Sequence, residues 1–334
     1  MNDPHEPHPG PNSIPAPTPS RRDPGTPGSE AEDVPGVGVR CGFVGLAGRP
    51  NVGKSTLANA IVGEKVAIVS DRPQTTRRAV RGVATDTAAG WQMILVDLPG
   101  VQKPRDALTA RMQRRVEREL EDADVALLVV NAEQGIGPGD RFIARALLGA
   151  GAGIPTLCAV NKIDSASPAR TAETLTAAAK LDVVDEIFPV SARRGTGLEA
   201  LIGRLTELLP EGPLLYPAQE HSDQASEVHL AELIREQVLR RTREELPHAV
   251  EVKVTEVGER EDGIVEVQAQ VWAETESQKA ILIGKGGKMV RDVGAAARRE
   301  LERELGAQVF LGLEVRVRPR WRRDDALLDR LGID

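Results

Sequence analysis

Eight consecutive residues, Gly48-Arg49-Pro50-Asn51-Val52-Gly53-Lys54-Ser55, fit the spacing G-x-x-x-x-G-K-[ST] and are followed by Thr56. These residue types suit the grip of a polyphosphate. Glycines let backbone N–H groups turn inward around phosphate oxygens, and a helix opening at Ser55 adds the positive end of its dipole. Lys54 is placed to reach the β- and γ-phosphates and to stabilise their charge, and the Ser55 hydroxyl to ligate Mg²⁺.

Three further motifs add to this grip. Asp97-Leu98-Pro99-Gly100 ends an apolar run. That puts a carboxylate at the C-terminal edge of a strand, where open α/β sheets bind ligands. Asp97 is suited to hold Mg²⁺ through water, and the Gly100 N–H to bond a γ-phosphate. Asn161-Lys162-Ile163-Asp164 follows a second apolar run. An ionised carboxylate only accepts hydrogen bonds, so Asp164 suits the adjacent N1–H and N2–H₂ donors of guanine. Adenine offers neither, and GTP would be chosen over ATP. The Lys162 stem can lie over the base. Ser191-Ala192-Arg193 follows a third run, with the Ala192 N–H the candidate donor to guanine O6. Alone, each motif also reads as a strand-end turn or a helix cap. They occur in order, however, with successive gaps of 43, 64 and 30 residues from Lys54 to Asp97, Asn161 and Ser191.

A different chemistry is suggested near the other end of the chain. Ile283-Gly284-Lys285-Gly286-Gly287-Lys288 joins two predicted helices, with Arg291 just beyond. A G-x-x-G turn lets a nucleic-acid backbone come close, and Lys285, Lys288 and Arg291 supply charge beside it. This is the KH arrangement, which clamps about four nucleotides of single-stranded RNA. From Lys279 to Arg323 there are 12 basic and 5 acidic residues, a local charge of +7 in a chain whose net charge is −7. Arg316, Arg318, Arg320, Arg322 and Arg323 extend the candidate footprint. A tight helix–helix turn is the alternative reading.

The elements that must position these motifs follow from hydrophobic patterning. Short apolar runs alternate with helical segments: strand Cys41–Ala47, helix Ser55–Val62, strand Met93–Val96, helix Ala107–Leu120, strand Val125–Val130, helix Arg141–Leu148, strands Thr156–Val160 and Ile187–Val190, and helix Leu198–Leu208. Alternation of this kind predicts an α/β domain, a mostly parallel sheet with helices on both faces. Residues 212–226, rich in proline and polar groups, read as a linker. Beyond them the order is helix (Glu227 to Arg243), two strands (Val250–Val257 and Ile264–Trp272), two helices (Ser277–Ile283 and Met289–Leu305) and a strand (Gln308–Val317), a small α+β domain. The expected division is therefore 1–38 tail, 39–211 nucleotide domain, 212–226 linker, 227–322 KH domain and 323–334 C-terminal tail.

Composition sets the remaining bounds. The 334 residues allow two domains at roughly 100–200 residues each. Ten of the 23 prolines lie in the first 35 residues, which hold few large apolar side chains and are expected to be disordered. Cys41 and Cys158 each sit in an apolar run, which reads as reduced core thiols rather than a disulfide. No run reaches the roughly 18 apolar residues of a membrane helix, and no signal pattern opens the chain, so a cytoplasmic protein is expected. The five histidines show no metal-ligand spacing, so no structural metal is expected. The charged segment Arg105–Glu121 reads as a solvated helix face.

Taken together, the nucleotide motifs resemble the G-domain of translation-factor-class GTPases. The form Gly-Arg-Pro-Asn-Val-Gly-Lys-Ser-Thr is similar to the ribosome-associated Era and Der branch. One phosphate loop followed by one KH domain, rather than two phosphate loops, points to the Era family, with the match running from Val39 to about Arg323. Arg72-Pro73-Gln74-Thr75-Thr76-Arg77-Arg78 resembles that family's first switch, which implies that Thr76 binds Mg²⁺ in the GTP state. The resemblance implies GTP and GDP as ligands, hydrolysis of GTP, and binding of the 3′ end of 16S ribosomal RNA by a monomer. It also implies a role in 16S rRNA processing and maturation of the 30S subunit, and peripheral association with the inner face of the membrane. Val101 stands where Ras-like enzymes carry a water-orienting glutamine, so slow intrinsic turnover is expected, with stimulation by K⁺ or ribosomal RNA. Asn51 matches an asparagine that holds a potassium ion in related GTPases; that it only shapes the loop is the competing reading. Two alternatives remain open at this stage: an RNA-binding assembly module that uses GTP as a structural ligand, and a generic signalling GTPase.

Overall fold

The structure, a computed structural model, describes residues 39–72, 74–100, 106–150 and 153–333. The proline-rich expectation for the N-terminus lies outside them, as do Pro73 and Val101.

The first domain runs β1 (Arg40–Ala47), α1 (Lys54–Val62), β2 (Val80–Asp86), β3 (Trp91–Asp97), α2 (Ala107–Glu121), β4 (Val125–Asn131), α3 (Pro138–Ala150), β5 (Thr156–Asn161), α4 (Pro168–Ala178), β6 (Glu186–Pro189) and α5 (Leu198–Leu208). Its six strands lie in the order β2-β3-β1-β4-β5-β6. All neighbours are parallel except β2, which pairs antiparallel with β3 from Val80↔Asp97 to Asp86↔Trp91. The central strands are buried on both faces, which is why they read as unbroken apolar runs. Leu57 and Ile61 of α1 with Leu201 and Leu205 of α5 fill one face; Val116 of α2, Ile143 of α3 and Ala178 of α4 fill the other. The strand order turns at β1, with β3 on one side and β4 on the other, and this opens a crevice at the strands' C-terminal ends.

Two elements of this domain are not evident from patterning. β2 is a short edge strand with alternating polar residues, VRGVATD, and carries no apolar run. α4 is alanine- and threonine-rich and buries only Thr174 and Ala178; its start is marked by Ser167, whose side chain accepts from the Arg170 N–H, followed by Pro168.

The second domain runs α6 (Ser226–Arg241), α7 (Leu246–Ala249), β7 (Glu251–Glu259), β8 (Val265–Ala273), α8 (Glu276–Ile283), α9 (Lys288–Leu305), β9 (Val309–Val317) and α10 (Asp325–Arg330). β8 pairs antiparallel with β7 and parallel with β9. α6, α8 and α9 cover one face of this sheet around Leu233, Ile234, Leu282, Val293 and Leu301.

The segment between the domains is laid along the first sheet. Gln92 of β3, fully buried, donates to the Tyr216 carbonyl (2.8 Å) and accepts from the Leu215 and Tyr216 N–H groups. The described residues from Val39 to Ile333 accordingly form one compact unit.

The C-terminal residues, expected as a tail, are a wedge. Trp321 is fully buried and packs with Leu328, Leu331 and Ile333 against Leu108 and Met112 of α2 and Trp272 of β8. Its indole N–H donates to the Ala249 carbonyl (2.9 Å). The same contact corrects the expectation that α2 presents only a solvated face. Arg111 pairs with Asp325 (2.8 Å) and Asp329 (2.6 Å), and Arg322 pairs with Asp106 at the start of α2 (2.5 Å). Arg322 therefore belongs to the domain junction, not to a free basic surface.

Candidate nucleotide site and KH loop

The phosphate loop spans the end of β1 and the first turn of α1. Gly53 has φ 101°, and a Cβ there would lie 2.4 Å from Asn161 Nδ2, so only glycine fits. Lys54 is buried; its ammonium donates to the Gly48 (3.2 Å) and Arg49 (3.3 Å) carbonyls, curling the loop around itself. Burial lowers the Lys54 pKa, and the nearby Asp97 charge opposes this. Around the loop lies a pocket lined among others by Asn51, Lys54, Ser55, Thr56, Thr76 and Gly100.

Three oxygens from three separate segments meet beside the phosphate loop. Ser55 Oγ donates to Asp97 Oδ2 (2.6 Å), Thr76 Oγ1 donates to the same oxygen (3.2 Å), and the two hydroxyls are 3.1 Å apart. Asp97 Oδ1 is buried and has no hydrogen-bond partner among the described residues. Burial pushes the Asp97 carboxyl above its usual range, against the pull of Lys54 and the two hydroxyls. An orphaned carboxylate oxygen beside two hydroxyls is a donor set suited to Mg²⁺, which takes hard oxygen ligands and keeps several waters.

Across the pocket, Asn161 ties the base-side loops to the phosphate loop. Its Nδ2 donates to the Val52 carbonyl (3.1 Å) and its Oδ1 accepts from the Lys162 (2.8 Å) and Ala192 (3.0 Å) N–H groups. The Ala192 N–H would therefore exchange an existing bond for guanine O6. Lys162, at φ 65°, donates from Nζ to the Asn51 carbonyl (2.8 Å). Ser191 Oγ donates to Asp164 Oδ1 (2.7 Å) and holds that carboxyl below the usual range, ionised and fixed in direction. Motif spacing flagged Asn161 as a base-side residue; its part as a tie between loops needed the fold.

The other flagged residues fall nearby with different tasks. Pro50 packs against Gly100, where an added Cβ would lie 2.8 Å from Pro50 N. Val52 is fully buried. Arg49 turns away from the pocket and pairs with Asp140 of α3 (2.8 Å). Asn51 donates from Nδ2 to the Asp71 carbonyl (2.7 Å), which touches the switch segment. Arg193 is exposed beside Ser191.

In the second domain, α8 ends at Ile283 and α9 begins at Lys288. Between them Gly284, Gly286 and Gly287 have φ of 72°, 59° and 75°. Lys285, Lys288 and Arg291 are exposed. Val290, Gly294, Leu311 and Leu313 line a groove beside this loop, between α9 and β9. Near the loop Val293 is buried, whereas Ile281 is 56% exposed. Among the described residues no cluster of His, Cys, Asp or Glu forms a further metal site, and no helix is long and apolar enough to cross a membrane.

The fold and these loops define a phosphate-loop GTPase domain joined to a KH domain. A family described as "50S ribosome-binding GTPase" matches residues 43–162, and the KH domain family matches residues 245–322. The chain is 46% identical over 295 residues to GTPase Era of Mycobacterium tuberculosis and 44% identical over 296 residues to that of Mycolicibacterium smegmatis; these matches cover 87–88% of this chain and 98% of each relative. Among solved structures it is similar to Aquifex aeolicus Era bound to GDP·AlF4⁻, and to Era in complex with MgGDPNP and nucleotides 1506–1542 of 16S ribosomal RNA. Each has a TM-score of 0.84 and 34% identity, covering 88% of this chain and 99% of the other. The chain belongs to the Era family of GTPases.

Proposed function

We propose that this chain is a Mg²⁺-dependent GTP hydrolase whose KH loop binds the single-stranded 3′ region of 16S ribosomal RNA during assembly of the 30S subunit. The observation that carries the nucleotide half is the convergence of Ser55, Thr76 and Asp97 oxygens at the mouth of the phosphate loop. These three residues would hold Mg²⁺, which when bound neutralises charge on the β- and γ-phosphate oxygens. Lys54 and the loop amides orient the phosphates, and the Gly100 N–H faces the γ position. Asp164, ionised and aimed by Ser191, accepts from guanine N1–H and N2–H₂. The Val101 side chain carries no donor or acceptor to orient water, so turnover by the isolated chain is slow. Asn51, whose Nδ2 is engaged by the Asp71 carbonyl while its Oδ1 is an available acceptor, would hold K⁺, which when bound would add positive charge beside the phosphates.

The RNA half is supported by the glycine turn between α8 and α9 with its exposed lysines, and by the relative solved with both MgGDPNP and 16S rRNA. The setting is cytoplasmic, with GTP or GDP bound in turn. The test pairs Gly286→Asp, whose added Cβ has no neighbour within 4 Å at a φ of 59°, with binding of an RNA oligonucleotide from the 16S 3′ region. Loss of RNA binding with unchanged GTP binding supports the reading, and unchanged RNA affinity refutes it. Single-turnover hydrolysis in K⁺ and Na⁺, with and without that RNA, tests turnover. Absence of phosphate release under all four conditions would leave GTP as a structural ligand only.

A further inference from the structure

The switch segment around Thr76 is held by the other domain. On one side of Thr76, the Thr75 carbonyl accepts from Arg235 Nη2 of α6, and Gln74 meets His248 of α7 (3.1 Å). On the other side, Arg77 is buried, with its guanidinium spent on the second domain. It donates to the Val250 carbonyl (2.6 Å), to Glu251 Oε2 (2.7 Å), and to the Pro247 and His248 carbonyls (3.0 Å each). Next in line, Arg78 donates to Glu232 of α6 (2.6 Å) and to the Leu331 carbonyl of the wedge (2.7 Å). Arg235 in turn is fixed by Glu232, and both Arg235 and Glu251 have fully buried side chains.

A switch loop in an isolated G-domain gains its order from γ-phosphate and Mg²⁺. Here Thr76 is bracketed by anchors that all lie on α6, α7, β7 and the wedge, while its own hydroxyl reaches Ser55 and Asp97. Any shift of α6 relative to the first sheet must drag the Thr75 carbonyl and hence Oγ1 of Thr76. We infer that Arg235 is a positioning residue for the GTP state: through the Thr75 carbonyl it holds the Thr76 hydroxyl at the metal position, so that the KH domain's first helix helps set the preference for GTP over GDP. Burial brings Arg77 down to about 10, whereas the charges of Arg78, Arg77 and Arg235 outweigh burial and bring Glu251 down to about 2.

The inference rests on the reading of Thr76 as a ligand present only with GTP, and the test separates the two. Affinities for GDP and for the non-hydrolysable analogue GDPNP, each with Mg²⁺, are measured on the full chain for Thr76→Ala, Arg235→Met, Arg235→Lys and the double variant Thr76→Ala/Arg235→Met. Removing a group that orients a metal ligand costs about tenfold to a hundredfold in metal affinity. Arg235→Met is expected to weaken GDPNP by that factor and GDP by less than about twofold, with partial recovery in Arg235→Lys. In the Thr76→Ala background it should add nothing. Equal losses for both nucleotides, or full additivity in the double variant, overturn the inference, and Arg235→Lys supplies the same comparison if the methionine variant fails to fold. If Thr76→Ala itself leaves GDPNP and GDP equally bound, the metal reading of Thr76 fails first.

Discussion

Replacing Trp321 with alanine removes the largest fully buried side chain of the molecule from the point where the two domains share a core. Large aromatic-to-alanine changes in cores cost about 3–5 kcal/mol, with the spread set by how far the site collapses. Collapse is hindered here, because the cavity would be walled by Leu108 and Met112 of α2, Trp272 of β8, and Leu328 and Leu331, which belong to three independently anchored elements. The Ala249 carbonyl also loses its donor, a loss of about 1 kcal/mol. The expected destabilisation is therefore about 5–6 kcal/mol, a large share of the 5–15 kcal/mol typical of a folded domain. Urea unfolding followed by fluorescence gives the check, because Trp91 lies on β3 of the first sheet and Trp272 on β8 of the second. The wild-type chain should unfold in one transition. Trp321→Ala should lower the midpoint and separate the two tryptophan signals, and Trp321→Phe, which keeps most of the packing, should lose only about 1–2 kcal/mol. A loss below about 1 kcal/mol with a single transition would show that the wedge does not join the domains.

Three other outcomes follow from the site and the junction. Asp164→Asn exchanges an acceptor pair for a mixed donor–acceptor; guanine binding should fall by about 3 kcal/mol or more while xanthine nucleotides, whose O2 accepts, gain, as competition binding reads directly. Asn161→Ala frees the Val52 carbonyl and the Lys162 and Ala192 N–H groups at once; it should weaken GTP and GDP alike by at least about tenfold, with hydrogen exchange rising in all three loops. Glu251, lowered from 4.5 to about 2 in the folded chain, adds stability that is complete above about pH 5 and disappears as pH falls toward 2. Glu251→Gln should flatten the acid limb of the stability–pH curve over that interval, and an unchanged limb would mean that the carboxylate is not held by its three arginines.

Much of the nucleotide site is legible from residue order because each motif follows its own apolar strand, and the sheet then needs only to align the strand ends. Lys54, Ser55, Asp97 and Asp164 fall where this reasoning puts them. What escaped it depends on contacts between distant residues. β2 gives no apolar run because one face meets polar neighbours. The Trp321–Ile333 wedge looks like a charged tail because its four apolar anchors are spaced among arginines and aspartates that are themselves paired to α2. Arg77 and Arg78 look like an exposed basic loop, since no local pattern announces that Glu232 and Glu251, more than 150 positions away, wait to receive them.

The two thiols offer a use beyond their packing. Burial pushes Cys158, on central strand β5, up to about 12, with the Asp140 charge adding to the effect, and Cys41 on β1 is raised as well. Neither presents a thiolate to reagents while the sheet is closed. Alkylation must wait for the sheet to breathe open, so its rate is a clock for that opening. Any nucleotide that binds only the closed form slows the clock in proportion to its occupancy, and the chain thereby carries its own unlabelled gauge of ligand binding.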